Sequence, residues 1–131
     1  MADKEIATEE QEACALISWA AYHPICREYL IHIPNEGKRT PHFGRRLVLM
    51  GLKRGVSDFL LAYPNLPGSS RKFYHGLWIE LKRVSGGRLS SDQLSWLEKM
   101  EKVGYATAVA RGFYEAKAII EDYLNEDGKA P

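Results

Sequence analysis

Asp58, Glu80 and Lys82 are the residues whose types and spacing could do chemistry, in the pattern D-x(21)-E-x-K. Asp58 lies in GVSDFLL and Glu80 in HGLWIELKRV, two apolar runs in which a hydrophobic residue would be easier to bury. A carboxylate taken out of water without a partner is costly, so each acid needs a cation or hydrogen-bond donors. Along a strand over HGLWIELKRV, alternation turns Leu77, Ile79 and Leu81 one way and Trp78, Glu80 and Lys82 the other. Glu80 and Lys82 would then stand about 7 Å apart on one face. Hairpin pairing of the two runs would bring Asp58 to Glu80. Two carboxylates with a nearby main-chain carbonyl make a hard-oxygen set, which suits Mg²⁺ or Mn²⁺ rather than zinc. A divalent ion so held polarises a phosphoryl oxygen and helps ionise water, and a lysine beside it offsets charge on a pentacoordinate phosphate. Lys82 is read as electrostatic help rather than as a general base, because a free ammonium stays protonated at neutral pH. The chemistry indicated is phosphodiester hydrolysis. An ion pair that merely satisfies a sheet uses the same residue types, and the bare pattern leaves that open.

The distribution of charge bears on the choice. The formal net charge is only +1, but 11 of the 18 lysines and arginines fall between Gly37 and Ser90. That window holds two acids, Asp58 and Glu80, out of 17 in the chain. A basic middle between acidic ends is the electrostatic footprint expected for a polyanion such as nucleic acid. Arg45, Arg46, Lys53 and Arg54 lead straight into the Asp58 run. With Lys38, Arg39, Arg83 and Arg88 they form the expected set of phosphate contacts, which would make binding strongly salt-dependent.

The elements that must position these groups follow from pattern. Thr8 with Gln11 forms a capping box for a helix over EEQEACALISWAAY, with Cys14, Ile17 and Ala21 along one side and Pro24 beyond its end. REYLIHIPN reads as a strand, TPHFGRRLVLMGLKRG as a second helix with Pro41 in its first turn, and VSDFLLAY as a short apolar strand. The stretch from Pro64 to Tyr74 reads as a loop rich in Pro, Gly and Ser. HGLWIELKRV is the next strand; after GGRLSS, Ser90 or Ser91 caps a helix over DQLSWLEKMEKV. YATAVARG forms a last strand, FYEAKAIIEDYL a last helix, and NEDGKAP is expected to fray. The fold expected is α/β: a mixed central sheet of about four strands flanked by helices. One domain spans 1–131, with its core at about 8–124 and a frayed tail at 125–131.

No run approaches the roughly 18 apolar residues of a membrane span, and the acidic, polar start is neither a signal nor a transit peptide. Two cysteines, Cys14 and Cys26, without a CxxC suit reduced thiols, with Cys14 expected in the core. The location expected is cytoplasmic, with no membrane partner. The four histidines lack any zinc spacing, and Trp78, Trp96 and Phe113 read as core rather than as base-stacking surfaces.

The segments NEG, SDF, IELKR and LSSDQLSWLEKMEKVGY, taken in this order, resemble the VRR-NUC branch of the PD-(D/E)XK nucleases. That branch includes the nuclease domain of the Fanconi-anaemia-associated nuclease and small stand-alone proteins of phages and bacteria. The likeness runs from about Thr8 to Tyr123. Ser57 stands where the wider superfamily often places proline, a harmless departure since the acid carries the chemistry. The resemblance implies a restriction-endonuclease-like fold and metal binding by Asp58, Glu80 and the Leu81 carbonyl. It further implies Lys82 and Gln93 as catalytic companions and Glu36 as another metal or metal-water ligand. Glu12 or Glu9 on the first helix would be an accessory acid. It also implies a homodimeric, structure-selective DNA endonuclease, dependent on Mg²⁺ with Mn²⁺ as a substitute, that cleaves Holliday junctions or other branched DNA. The alternatives are a flap or branched-DNA nuclease without resolvase symmetry, and a catalytically weak DNA-binding domain.

Overall fold

In a computed structural model, the structure describes residues 5–34, 41–65 and 72–124. Glu36, Lys38 and Arg39 lie outside the described residues, as do most of the loop expected from Pro64 to Tyr74 and the tail from residue 125.

Helix α1 (Glu9–Ala20) starts at the expected capping box: the Thr8 hydroxyl accepts from the Gln11 amide, and the Gln11 side chain accepts from the Thr8 amide. Its buried face is a different one from that expected. Glu12, Leu16 and Ala20 face inward, whereas Cys14 is exposed. A run this rich in alanine presents weak amphipathicity, so several rotations look alike in sequence; the tertiary partner, α5, selects among them.

The strand expected over REYLIHIPN begins as one helical turn. His23 Nδ1 accepts from the amides of Ile25 and Cys26, turning the chain into α2 (Cys26–Tyr29). Only Leu30–His32 forms a strand, β1. The second helix, α3 (Pro41–Leu49), is also shorter than expected. Gly51 has φ +106°, a conformation that suits glycine, and it closes a C-terminal motif. In that motif the Leu52 amide donates to the Leu47 carbonyl and the Gly51 amide to the Val48 carbonyl.

Strands β2 (Phe59–Leu61), β3 (Leu77–Lys82) and β4 (Ala106–Arg111) join β1 in a mixed four-stranded sheet of order β1-β2-β3-β4. The first two pairings are antiparallel and β3 pairs with β4 in parallel. The connection between β3 and β4 is α4 (Ser91–Lys102), and α5 (Phe113–Tyr123) closes the described chain. Helices α1 and α5 cover one face, where Leu77, Ile79 and Leu81 join Phe59, Leu61, Leu16, Ala116 and Ile120 in the core. Helix α4 covers the other face, with Trp96 edge-on to Trp78. All six β3 residues are therefore buried, as expected for a strand covered on both sides. Two of them are Glu80 and Lys82, so the sheet carries charge on its inner face against α4.

Candidate active site

The sheet register brings the acids together. Phe59 pairs with Ile79 and Leu60 with Trp78, and one further step sets Asp58 opposite Glu80. The Ile33 amide donates to the Asp58 carbonyl at 2.7 Å, so the β1 pairing also runs on to this residue. Directly opposed residues of an antiparallel pair have Cβ atoms about 4.5–5.5 Å apart on the same face. Asp58 stands just outside the ladder, at the strand's edge, rather than mid-strand as expected. That edge position frees its side chain for the neighbouring backbone: Asp58 Oδ2 accepts from the Leu81 amide at 2.8 Å.

This bond also orients the Leu81 carbonyl. The carbonyls of Gly76 and Lys82 accept from Ala106 and Gly112 on the β4 side. Alternate residues of a strand bond to opposite edges, so the Leu81 carbonyl faces the β2 side, beside the Asp58 carboxylate. A cleft of about 300 Å³ opens there, lined by Asp58, Leu81, His32 and the first-turn acids Glu9 and Glu10 of α1.

On the α4 side the charges are held by a glutamine. Glu80 is 1% exposed, Lys82 5% and Gln93 7%. Gln93 Nε2 donates to Glu80 Oε1 at 2.8 Å, while Gln93 Oε1 accepts from Lys82 Nζ at 3.1 Å. Lys82 Nζ lies 3.6 Å from Glu80 Oε1, a buried ion pair. Gln93 can bridge both because it occupies the third position of α4, where the Ser90 capping box fixes it. Its amide donates to Ser90 Oγ, and its Oε1 also accepts from the Ser90 amide. A helix cap thus doubles as the clamp on an ion pair.

Gly55 ties the acid-bearing segment to the same helix end. Its φ is +81°, and a Cβ there would collide with the Asp92 carbonyl and lie 2.7 Å from the Gln93 amide nitrogen. The chain entering Asp58 therefore packs directly on the start of α4. Sequence reasoning missed a second support, Arg111. Its guanidinium donates to the carbonyls of Arg83 at 3.3 Å, Gly86 at 2.6 Å and Gly87 at 3.0 Å, pinning the turn that follows β3. Nothing in local sequence marks an arginine at the end of a strand for that task.

The other expected residues divide. Arg45, Lys53 and Arg54 line a larger cleft of about 770 Å³ that Gln93 also lines. Arg46 is exposed on α3 and does not line it, and Arg88 is exposed in the turn that Arg111 holds. Arg83 follows β3 and is half-buried. Glu12 departs from the expectation of an accessory acid: its Oε1 accepts from the Phe113 amide at 3.0 Å and its other oxygen abuts Gly112. It caps α5, whose N-cap glycine has no side chain to do so. Glu9 lies nearer the site, with Oε2 3.7 Å from where a Cβ on Gly87 would be.

Among the described residues, no three His, Cys, Asp or Glu side chains form a metal-holding group by themselves. The donor set of Asp58, Glu80 and the Leu81 carbonyl still fits a hard cation, since it is made of two carboxylates and a main-chain carbonyl; the His32 imidazole lines the same cleft as Asp58 and Leu81.

The fold, a mixed four-stranded sheet flanked by helices, matches known architecture. A solved structure described as a VRR_NUC domain protein superposes with a TM-score of 0.75 at 24% identity, covering 93% of this chain and 92% of that one. The chain has the VRR_NUC fold, as the sequence motifs lead one to expect. No protein-family model and no curated protein sequence matches the chain. No helix among the described residues is long and apolar enough to cross a membrane.

Proposed function

We propose that this chain is a divalent-metal-dependent endonuclease of the PD-(D/E)XK type, acting on branched DNA. The observation that carries the proposal is the buried Glu80–Lys82–Gln93 network on β3, with Asp58 set opposite Glu80 by the strand register and bonded to the Leu81 amide. Gln93 also lines the cleft that holds Arg45, Lys53 and Arg54. Asp58, Glu80 and the Leu81 carbonyl would hold Mg²⁺ or Mn²⁺, with Glu36 as a further ligand. The bound ion supplies Lewis-acid polarisation of the phosphate and a more acidic water. Lys82 keeps a fixed ammonium beside the acids because Gln93 and Glu80 hold it, so charge growing on the phosphate meets a preorganised cation. Gln93 sets the distance between Lys82 and Glu80. Arg45, Lys53, Arg54 and Arg88 bind the DNA backbone, with Lys38 and Arg39 on the segment before α3. Phosphate contacts of this kind carry no sequence information, which supports selection by DNA shape. A homodimer would present two such sites to the symmetric strands of a four-way junction.

The test is cleavage of four-way-junction, flap and linear duplex DNA with Mg²⁺, Mn²⁺ or EDTA. Metal-dependent cutting that is lost in Asp58→Asn and Glu80→Gln, with DNA affinity retained, is the expected result. Cutting that survives both substitutions rejects the site, and equal, weak cutting of all three DNAs rejects the structure selectivity. A monomer that cuts flaps favours the flap-nuclease alternative.

A further inference from the structure

The larger cleft has a lining that a DNA duplex does not explain. Arg45, Val48, Leu49 and Leu52 follow one another at helical spacing along α3 and its cap, and all four line the cleft, joined by Lys53 and Arg54. Cations therefore flank a run of three aliphatic side chains, Arg45 before it and Lys53 and Arg54 after it. Val48 is 53% exposed and Leu49 86%, so the apolar groups belong to the surface and not to the core. Duplex DNA offers such a wall phosphates and sugars, with base faces stacked out of reach, and a leucine gains little from them. An unpaired nucleotide offers both halves of the match: a phosphate for the cations and an unstacked base face for the aliphatic surface. The cleft volume of about 770 Å³ lies within the roughly 300–1,000 Å³ typical of sites for small ligands. Gln93, the residue that bonds Glu80 and Lys82, also lines this cleft.

We infer that this cleft binds an unpaired nucleotide of a DNA strand, its base on Val48, Leu49 and Leu52 and its phosphate on Arg45, Lys53 and Arg54, next to the scissile phosphate. The inference rests on the nuclease reading and sharpens it: the branch structure selected is one with unpaired bases at the cut. Base contacts of this kind raise affinity by about fivefold or more per base, a value set from stacking surfaces, and an aliphatic wall belongs at the lower end.

Binding is measured in EDTA by fluorescence anisotropy, with three DNAs of equal phosphate count. The first is a full duplex, the second carries a short unpaired segment, and the third carries the same segment with abasic sites. The expected order is tightest binding to the base-bearing unpaired DNA, with about a fivefold loss for the abasic form and for the duplex. V48S/L49S, at two exposed positions, should remove the difference between base-bearing and abasic DNA, and circular dichroism melting verifies its fold. Equal affinity for all three DNAs overturns the inference, as does a variant that keeps the full difference. A wild-type dimer that becomes monomeric in V48S/L49S, seen by sedimentation, also overturns it, because a second copy would then occupy the cleft. Mg²⁺-dependent cleavage of the same DNAs is scored separately, so loss of the base preference with cutting retained rejects the cleft and not the nuclease. Absence of cutting with the preference retained rejects the nuclease and not the cleft.

Discussion

Replacing Gln93 with alanine tests whether the ion pair at the site is held by the helix cap. The wild-type side chain accepts from the Ser90 amide at 2.9 Å and from Lys82 Nζ at 3.1 Å, and donates to Glu80 Oε1 at 2.8 Å. Two of these bonds involve buried charged groups, each worth about 1.5–3 kcal/mol, and the capping bond adds about 0.5–1 kcal/mol. Water from the adjoining cleft can replace part of this, because Gln93 lines that cleft. A net loss of about 3 kcal/mol is expected, a large fraction of the 5–15 kcal/mol typical of a domain. Urea denaturation followed by circular dichroism measures it. A double-mutant cycle with Lys82→Met then isolates the coupling, expected at about 1–2 kcal/mol because the residues share a network. A loss under about 1 kcal/mol for Gln93→Ala, or additive effects in the cycle, would refute the argument that this residue restrains the buried charges.

Three further outcomes follow from named contacts. Gly55→Ala forces an L-residue to φ +81° against the Asp92 carbonyl and should cost at least about 2 kcal/mol, while Gly44→Ala, in open space within α3, should stabilise by about 0.5–1 kcal/mol; paired thermal melts compare them. Arg111→Ala should destabilise by about 1–2 kcal/mol and expose the Gly86–Gly87 turn to limited proteolysis; Arg111→Lys should not rescue it, because one ammonium lacks the planar fork that reaches three carbonyls. Burial pushes the Tyr123 phenol up to about 12, with hydrogen bonding from the Asn65 main chain pulling part of that back. The unfolded phenol ionises near 10, so the native state holds this proton longer, and the associated stability is full below about pH 10 and lost as pH rises toward 12. Tyr123→Phe should flatten that alkaline decline in a urea-midpoint series, and an unchanged slope would contradict it.

The parts of this architecture legible in sequence are those set by short-range pattern. The capping box at Thr8 is spelled out by four residues and appears where expected, and the cap left open between Ser90 and Ser91 falls on Ser90, with Gln93 completing a second box. The β3 run declares its own strand, and acids in apolar runs declare a site because burying them demands partners. What escaped depends on contacts distant in the chain. The inward face of α1 is set by packing against α5, where Glu12 caps a helix 101 residues away, so an acid in an amphipathic helix reads equally as a ligand or as a cap. His23 turns a β-rich run into a helical turn with two bonds that hydrophobic periodicity does not encode. Arg111 serves carbonyls 24 to 28 residues earlier in the chain.

Asp58 and Gln93 show how the two kinds of information meet. Asp58 is recognisable by type, but its role at the Leu81 amide follows from β2 ending one residue early, which leaves a side chain where a ladder bond would otherwise form. Gln93 is recognisable as the third residue of a capping box, a local motif with a purely helical purpose. The parallel crossover from β3 through α4 to β4 delivers that cap onto Glu80 and Lys82, converting a stability device into a restraint on buried charge. Such conversion requires the helix start to sit directly on the sheet. Gly55, with no Cβ between the Asp58 segment and Asp92, is what permits the approach.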